Sequence, residues 1–454
     1  MINNMEDKRP VFRRKIYDRM LKWKQEESGR TALLIEGARR IGKSTVAEEF
    51  GRNEYESCLL IDFSKASKRV IDLFEDLSDL DSIFMYLQFE YRVSLQERRS
   101  LVIFDEVQFA PKARQAIKHL VADGRYDYIE TGSLISIGKN VKDILIPSEE
   151  ERIQMYPMDL EEFLWATGDE VTPALLRQAL GTRLFSGLPH RTLMRTLRLY
   201  MLVGGMPQAV LEYLDNNDLT RVDKVKREII ELYMADFRKI DESGRIGRIF
   251  EDVPAQLNRK TSRYLMHSVI GDTDERKEDM LLSELAASMT ANLCYHTADP
   301  ANGLAMDYDK DYFKIYVGDT GLFITLAFWH SDVAENEIYA KLLSDKLSAN
   351  LGYVYENLVA QMLKASGKRL FYYTFPSDNR HLYEVDFLLS SGSKIIPAEV
   401  KSSGYKSHKS LDMFCEKYSQ KIRYPIILYT KEYHKEGTME YLPMYLLPFW
   451  LENM

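Results

Sequence analysis

Residues 37–44, Gly37-Ala38-Arg39-Arg40-Ile41-Gly42-Lys43-Ser44, fit the spacing GxxxxGK[ST]. They lie between a strand-like run, TALLIE, and a helix-like run, STVAEEF, which is the context this motif requires. Glycines let the backbone curl until its N–H groups point at phosphate oxygens, and the positive end of the following helix adds to the field. Lys43 would reach the β- and γ-phosphates of a nucleotide, and the Ser44 hydroxyl would ligate Mg²⁺. The candidate nucleotide-binding residues are therefore Gly37, Arg40, Gly42, Lys43, Ser44 and Thr45. Of Arg39 and Arg40, one adds charge near the phosphates or is simply solvated.

A partner half-site is expected at the end of another buried strand. Leu101-Val102-Ile103-Phe104 runs straight into Asp105 and Glu106. Asp105 would hold the Mg²⁺ shell, and Glu106 would activate the attacking water. A third run, YDYIE, ends in Thr131-Gly132-Ser133, whose hydroxyls would hold that water or the γ-phosphate, or cap the next turn.

A second constellation lies near the C-terminus. Glu399 and Lys401 are one residue apart in PAEVKSS and, in a strand, project from the same face. Asp386, in YEVDFLLS, would sit on the neighbouring strand, and Glu356 on the helix before it. Hard cations take oxygen ligands, so Asp386 and Glu399 are candidate ligands for Mg²⁺ or Mn²⁺, with the Val400 carbonyl completing the shell. Lys401 and Glu356 are the candidate catalytic partners, the lysine steadying charge as a phosphodiester is attacked. Glu384 shares a face with Asp386 but falls one pleat away, outside the expected shell. The competing reading is a set of surface ion pairs.

The elements that must position these groups come in three textures. From Thr31 to about Ser133, short apolar runs alternate with helical stretches, the habit of a parallel sheet with crossover helices. From about Pro157 to Phe237 the spacing is helical. Between about Glu251 and Asp319, two short helices precede the strand-like runs NLCYHTA and FKIYVGD, compatible with a winged-helix-like module that binds nucleic acid or protein, or only packs. From about Ile338 a helix is followed by strands RLFYYTF, YEVDFLLS and KIIPAEVKS, another helix, and RYPIILYT. The expected fold is a multidomain α/β chain. It comprises an AAA-type P-loop domain (1–155), a helical lid (156–240), a winged-helix-like module (241–335) and a restriction-endonuclease-like α/β domain (336–454).

GARRIGKS, LVIFDEVQ, ETGS, RIQMYPMDLEEFL, VGGMPQAV and FKIYVGDTGL, in that order, resemble a prokaryotic family of AAA-like ATPases. Its members join an N-terminal AAA module to a C-terminal domain of unknown function. The resemblance implies nucleotide binding by Gly37, Gly42, Lys43, Ser44 and Asp105, with Glu106 as water activator. It also includes Arg152, whose role it leaves open. Ala38 stands where the family usually has Pro, and Ser44 where it often has Thr; neither change removes a required group. Residues 354–429 resemble the PD-(D/E)XK nucleases, with Val385 in place of the usual proline. That resemblance implies a metal-dependent domain acting on DNA, or the same scaffold kept without activity.

The net charge of −8, from 61 Lys+Arg against 69 Asp+Glu, argues against a generic nucleic-acid binder. Residues 341–454 nonetheless carry 15 Lys+Arg against 12 Asp+Glu, so the C-terminal part is mildly basic. Lys406, His408 and Lys409 would track a phosphate backbone there or belong to a solvated loop. Cys58, Cys294 and Cys415 lie far apart and read as buried small hydrophobes in a reducing compartment. Neither a signal peptide nor a membrane-spanning run is expected, which points to a cytoplasmic protein. Three functions fit: an ATPase gating a nuclease, a nucleotide-dependent switch or interaction protein with a silent nuclease fold, and a self-associating ring motor. The last needs an arginine supplied in trans, which the sequence does not identify.

Overall fold

The computed structural model describes residues 11–132, 147–259, 261–272, 274–331, 339, 341–342, 351–377 and 382–454. Ser133 and the expected boundary at 335/336 lie outside them. The chain divides into two compact units, Met1–Tyr156 and Pro157–Met454.

The first unit is built on five parallel strands: β1 (Ala32–Glu36), β2 (Ser57–Asp62), β3 (Ser100–Asp105), β4 (Asp127–Gly132) and β5 (Glu150–Gln154). Their order across the sheet is β2-β3-β4-β1-β5. Every residue of β1, β3 and β4 is buried, which is why they read as unbroken apolar runs. Edge strand β5 buries only Ile153, and its sequence carries no comparable signal. Helices Leu80–Tyr91 and Pro111–Asp123 cover one face of the sheet, where Phe63, Phe74 and Phe104 meet edge to face at 5.2–5.8 Å.

The second unit begins with helices from Leu160–Ala166 to Glu275–Ala287 and continues into two sheets. One has the order β7-β6-β8-β9, from β6 (Ala291–Thr297), β7 (Tyr308–Val317), β8 (Leu370–Pro376) and β9 (Leu382–Val385). The other has the order β10-β11-β12-β14-β13, from β10 (Phe387–Ser391), β11 (Lys394–Lys401), β12 (Ile426–Tyr429), β13 (His434–Glu436) and β14 (Met439–Pro443). The strands assigned from sequence to a separate winged-helix-like module do not stand apart. β6 pairs in parallel with β8, Cys294 opposite Leu370, so both belong to a sheet shared with the C-terminal segment. The three regions expected after residue 155 accordingly form one compact unit.

Two landmarks of the family resemblance have a structural explanation. Gly205 N–H donates to Asp319 Oδ2 at 2.6 Å, and Asp319 also caps the helix Thr320–Ala327 through Leu322 N–H. A Cβ on Gly321 would meet Gly204 Cα at 2.5 Å, so VGGMP and VGDTG are where two backbones cross in contact.

Among the described residues no helix is long and apolar enough to cross a membrane. Cys294 is buried as expected, whereas Cys58 and Cys415 are only partly so; all three are free thiols.

Candidate nucleotide site and carboxylate cluster

The phosphate loop leaves β1 at Gly37 and enters the helix Lys43–Glu54. Gly37 has no room for a side chain, since a Cβ would lie 2.4 Å from Ile41 Cδ1 and 2.5 Å from Met155 O. Gly42 takes φ 94°, a conformation that glycine adopts without steric cost. Buried Arg14 clamps the loop from behind, donating to Ile41 O and Tyr156 O at 2.7 Å each. Lys43 Nζ points back into the loop, 3.0 Å from Gly37 O and 2.8 Å from Ala38 O. Burial pulls the Lys43 ammonium down to about 8 against the opposing pull of Glu106 and Asp105. Arg39 is half-buried, while Arg40 and Thr45 are exposed at the mouth.

Because β4 lies between β1 and β3, the ends of all three strands converge. Ser44 Oγ donates to Asp105 Oδ1 at 2.6 Å, and the Thr131 hydroxyl donates to the same oxygen. Thr131 Oγ1 also accepts from Glu106 N–H at 3.4 Å. Glu106 itself stands at φ 53°, and the Gln108 amide donates to its carboxylate. Sequence reasoning missed Gln108; its place two residues past the second acid was the available signal. Ser44, Asp105 and Thr131 offer only oxygen donors, the set that Mg²⁺ takes.

Behind the loop runs a buried ion network. Arg114 grips Glu150 with three contacts of 3.0–3.2 Å, the two side chains being 3% and 0% exposed. Arg152, whose role sequence left open, donates to Glu150 at 2.8 Å and stands 3.8 Å from Glu36, the residue before Gly37. Glu130, wholly buried, is held well above the ordinary carboxylate range by burial first and by Glu150 second.

In the second unit the run YEVDFLLS is not one strand. It bends at Asp386, pairing with β8 before the bend and β11 after it. The two-residue alternation that put Glu384 outside the shell therefore fails at Asp386. One carboxylate oxygen from each of Glu356, Glu384 and Asp386 lies within 4.8 Å of the other two. Glu356 comes from the helix Gly352–Ala365, which Asn357 fastens to β7 through Val317 N–H at 2.8 Å and Val317 O at 3.1 Å. Asp386 Oδ2 accepts from Val400 N–H at 2.7 Å, and its carboxyl is pushed well up by burial and then by Glu356. Glu399 and Lys401 form an ion pair of 2.6 Å at the rim, and that glutamate is outside the group of three. Glu399 Oε2 is buried with no hydrogen-bond partner among the described residues. An open acceptor and an all-oxygen donor set fit a hard cation.

Two further residues enter the cluster from β7. Lys314 Nζ stands 3.1 Å from Glu356 Oε1 and 2.7 Å from Glu384 Oε1. Tyr316, two residues on, donates its hydroxyl to that same oxygen of Glu356. Sequence reasoning missed both, although a lysine inside the apolar run Phe313–Val317 was a visible sign. Of the basic loop, Lys406 and Lys409 are exposed, while His408 is tied to Asp412 at 2.9 Å and Tyr441 at 3.1 Å.

Residues 29–164 match the family model described as an AAA domain. That match and the five-stranded parallel sheet agree on an AAA-like P-loop domain for the N-terminal unit. Residues 194–333 and 351–447 match two models described as domains of unknown function, DUF8612 and DUF4143. Neither description names an activity. No curated protein matches the chain. Among solved structures it is similar to the Thermotoga maritima RuvB Holliday junction branch migration motor, at 12% identity over 62% of this chain and 89% of that one, TM-score 0.27. It is also similar to Drosophila ORC bound to DNA, at 13% identity over 74% of this chain and 87% of that one, TM-score 0.26.

Proposed function

We propose that the chain binds and hydrolyses ATP in its N-terminal unit and that nucleotide state controls a divalent-metal site in its C-terminal unit that acts on DNA. The observation carrying the first half is the convergence of Ser44, Thr131 and Asp105 beside Lys43 at the ends of adjoining strands. Gly37, Gly42 and Lys43 form the phosphate cradle, with Arg40 and Thr45 at its mouth. Lys43 exchanges two loop carbonyls for phosphate oxygens, and Glu106 takes the proton of the attacking water. Ser44 and Asp105 would hold Mg²⁺, which when bound neutralises charge on the phosphates. In the second unit Asp386, with Glu356 and Glu384 beside it and Glu399 adjoining, would hold Mg²⁺ or Mn²⁺, which when bound polarises a phosphodiester. Glu356 also orients the reacting group, and Lys401 steadies developing charge. Proteins, or further copies of this chain, are its other candidate partners.

Lys43→Ala tests the nucleotide reading. Wild type is expected to bind a fluorescent ATP analogue saturably and to turn over ATP with Mg²⁺, and the variant to do neither. Only the ammonium form of Lys43 pairs with phosphate, and in the empty site it is half lost at about pH 8. Wild-type affinity should therefore be highest below that pH and fall as pH rises through it. Normal binding and turnover by Lys43→Ala would refute the reading.

The second reading is a nucleotide-dependent switch whose C-terminal site binds without cutting. Lys314 favours it, because that ammonium already neutralises part of the carboxylate cluster.

A further inference from the structure

We infer that Lys314 is the resident cation of the carboxylate cluster and competes with a divalent ion for Glu356 and Glu384. The inference rests on the metal-site reading of that cluster. Residues 313–317 of β7 are all buried, and the Lys314 side chain is 6% exposed. A buried ammonium is costly unless paired, and here two carboxylates pair with it. Its ammonium stands 3.1 Å from Glu356 Oε1 and 2.7 Å from Glu384 Oε1, the opposite charges that make its burial tolerable.

The oxygens that Lys314 contacts belong to the same residues that come within 4.8 Å of one another. A compact ammonium with three donors satisfies such oxygens as a hard cation does. Glu356 cannot easily retreat, since Tyr316 holds the same oxygen and Asn357 ties its helix to β7. Three carboxyl groups against one ammonium leave oxygen donors over, so a divalent ion still finds ligands in the cluster. To use Glu356 or Glu384 it must displace Lys314 or share with it. Lys314 thereby sets the metal concentration at which the site loads.

The test is Mn²⁺ binding to the full-length chain without nucleotide, by isothermal titration calorimetry, with Asp386→Ala as the blank. Lys314→Met is expected to bind Mn²⁺ at least about tenfold more tightly than wild type, the low end of what a unit charge at this range is worth. Lys314→Arg should match wild type, and Lys314→Met combined with Asp386→Ala should lose the gain. Lys314→Gln keeps two donors without the charge and reads the same quantity if the methionine variant does not fold. If wild type binds and the neutral variants bind equally or more weakly, competition is refuted and the metal site stands. If neither wild type nor the neutral variants bind above the blank, the metal-site reading fails and the competition with it.

Discussion

Glu106→Gln is expected to bind ATP about as tightly as wild type and to hydrolyse it about 10²–10⁴-fold more slowly, the usual contribution of a positioned general base. Glu106 is held by contacts outside the phosphate loop: its backbone N–H goes to Thr131 and its carboxylate receives the Gln108 amide. The loop glycines, Lys43 and the Ser44–Asp105 contact are all retained in the variant. Glutamine keeps the size and one acceptor oxygen of glutamate but cannot take a proton at neutral pH. A fall in kcat with little change in affinity would therefore identify Glu106 as the water activator. An unchanged kcat would remove that role, and a joint loss of binding would mean that Glu106 shapes the loop instead.

Arg114→Ala is expected to lower the stability of the N-terminal unit by about 3–5 kcal/mol, the range for breaking a buried ion pair from one side. It strips three contacts from the Glu150 side chain, which is 0% exposed and has Glu130 as a carboxyl neighbour. Arg152 remains on Glu150 but is 45% exposed and cannot supply the lost burial. Calorimetric unfolding of the full chain should show one transition moved down by roughly 10 °C. Arg114→Ala combined with Glu150→Ala should cost much less than the sum of the single changes, because neither charge is then stranded. Unchanged unfolding of the single variant would show that the pair adds nothing to stability.

What the sequence made legible follows from the range of the interactions. The phosphate loop is contiguous, and β1, β3 and β4 are buried on both faces, so both motif and strands stand out locally. Thr131 and Asp105 meet only because β4 adjoins β3, a pairing that no local pattern encodes. β5 was obscure because it is an edge strand with Ile153 as its one buried apolar residue, although it carries Glu150, whose side chain is buried, and Arg152. In the second unit, Asp386, Glu399 and Lys401 were picked out from strand spacing, and the structure groups Asp386 with Glu356 and Glu384 while pairing Glu399 with Lys401. Glu384 was misplaced because that spacing assumes a straight strand, and the chain changes sheets at Asp386. Lys314 and Tyr316 were missed because β7 was assigned to another module, whereas β6 joins β7 to β8 in one sheet.

Whether nucleotide state controls a metal-dependent site acting on DNA is read out by one cleavage assay. Supercoiled and linear DNA are incubated with the full-length chain and Mg²⁺ or Mn²⁺, with and without ATP, beside Asp386→Ala and Lys401→Ala. Wild type is expected to cut at a rate that changes with ATP, and both variants not to cut. No cutting by wild type under any of these conditions, or equal cutting by Asp386→Ala, would contradict that reading.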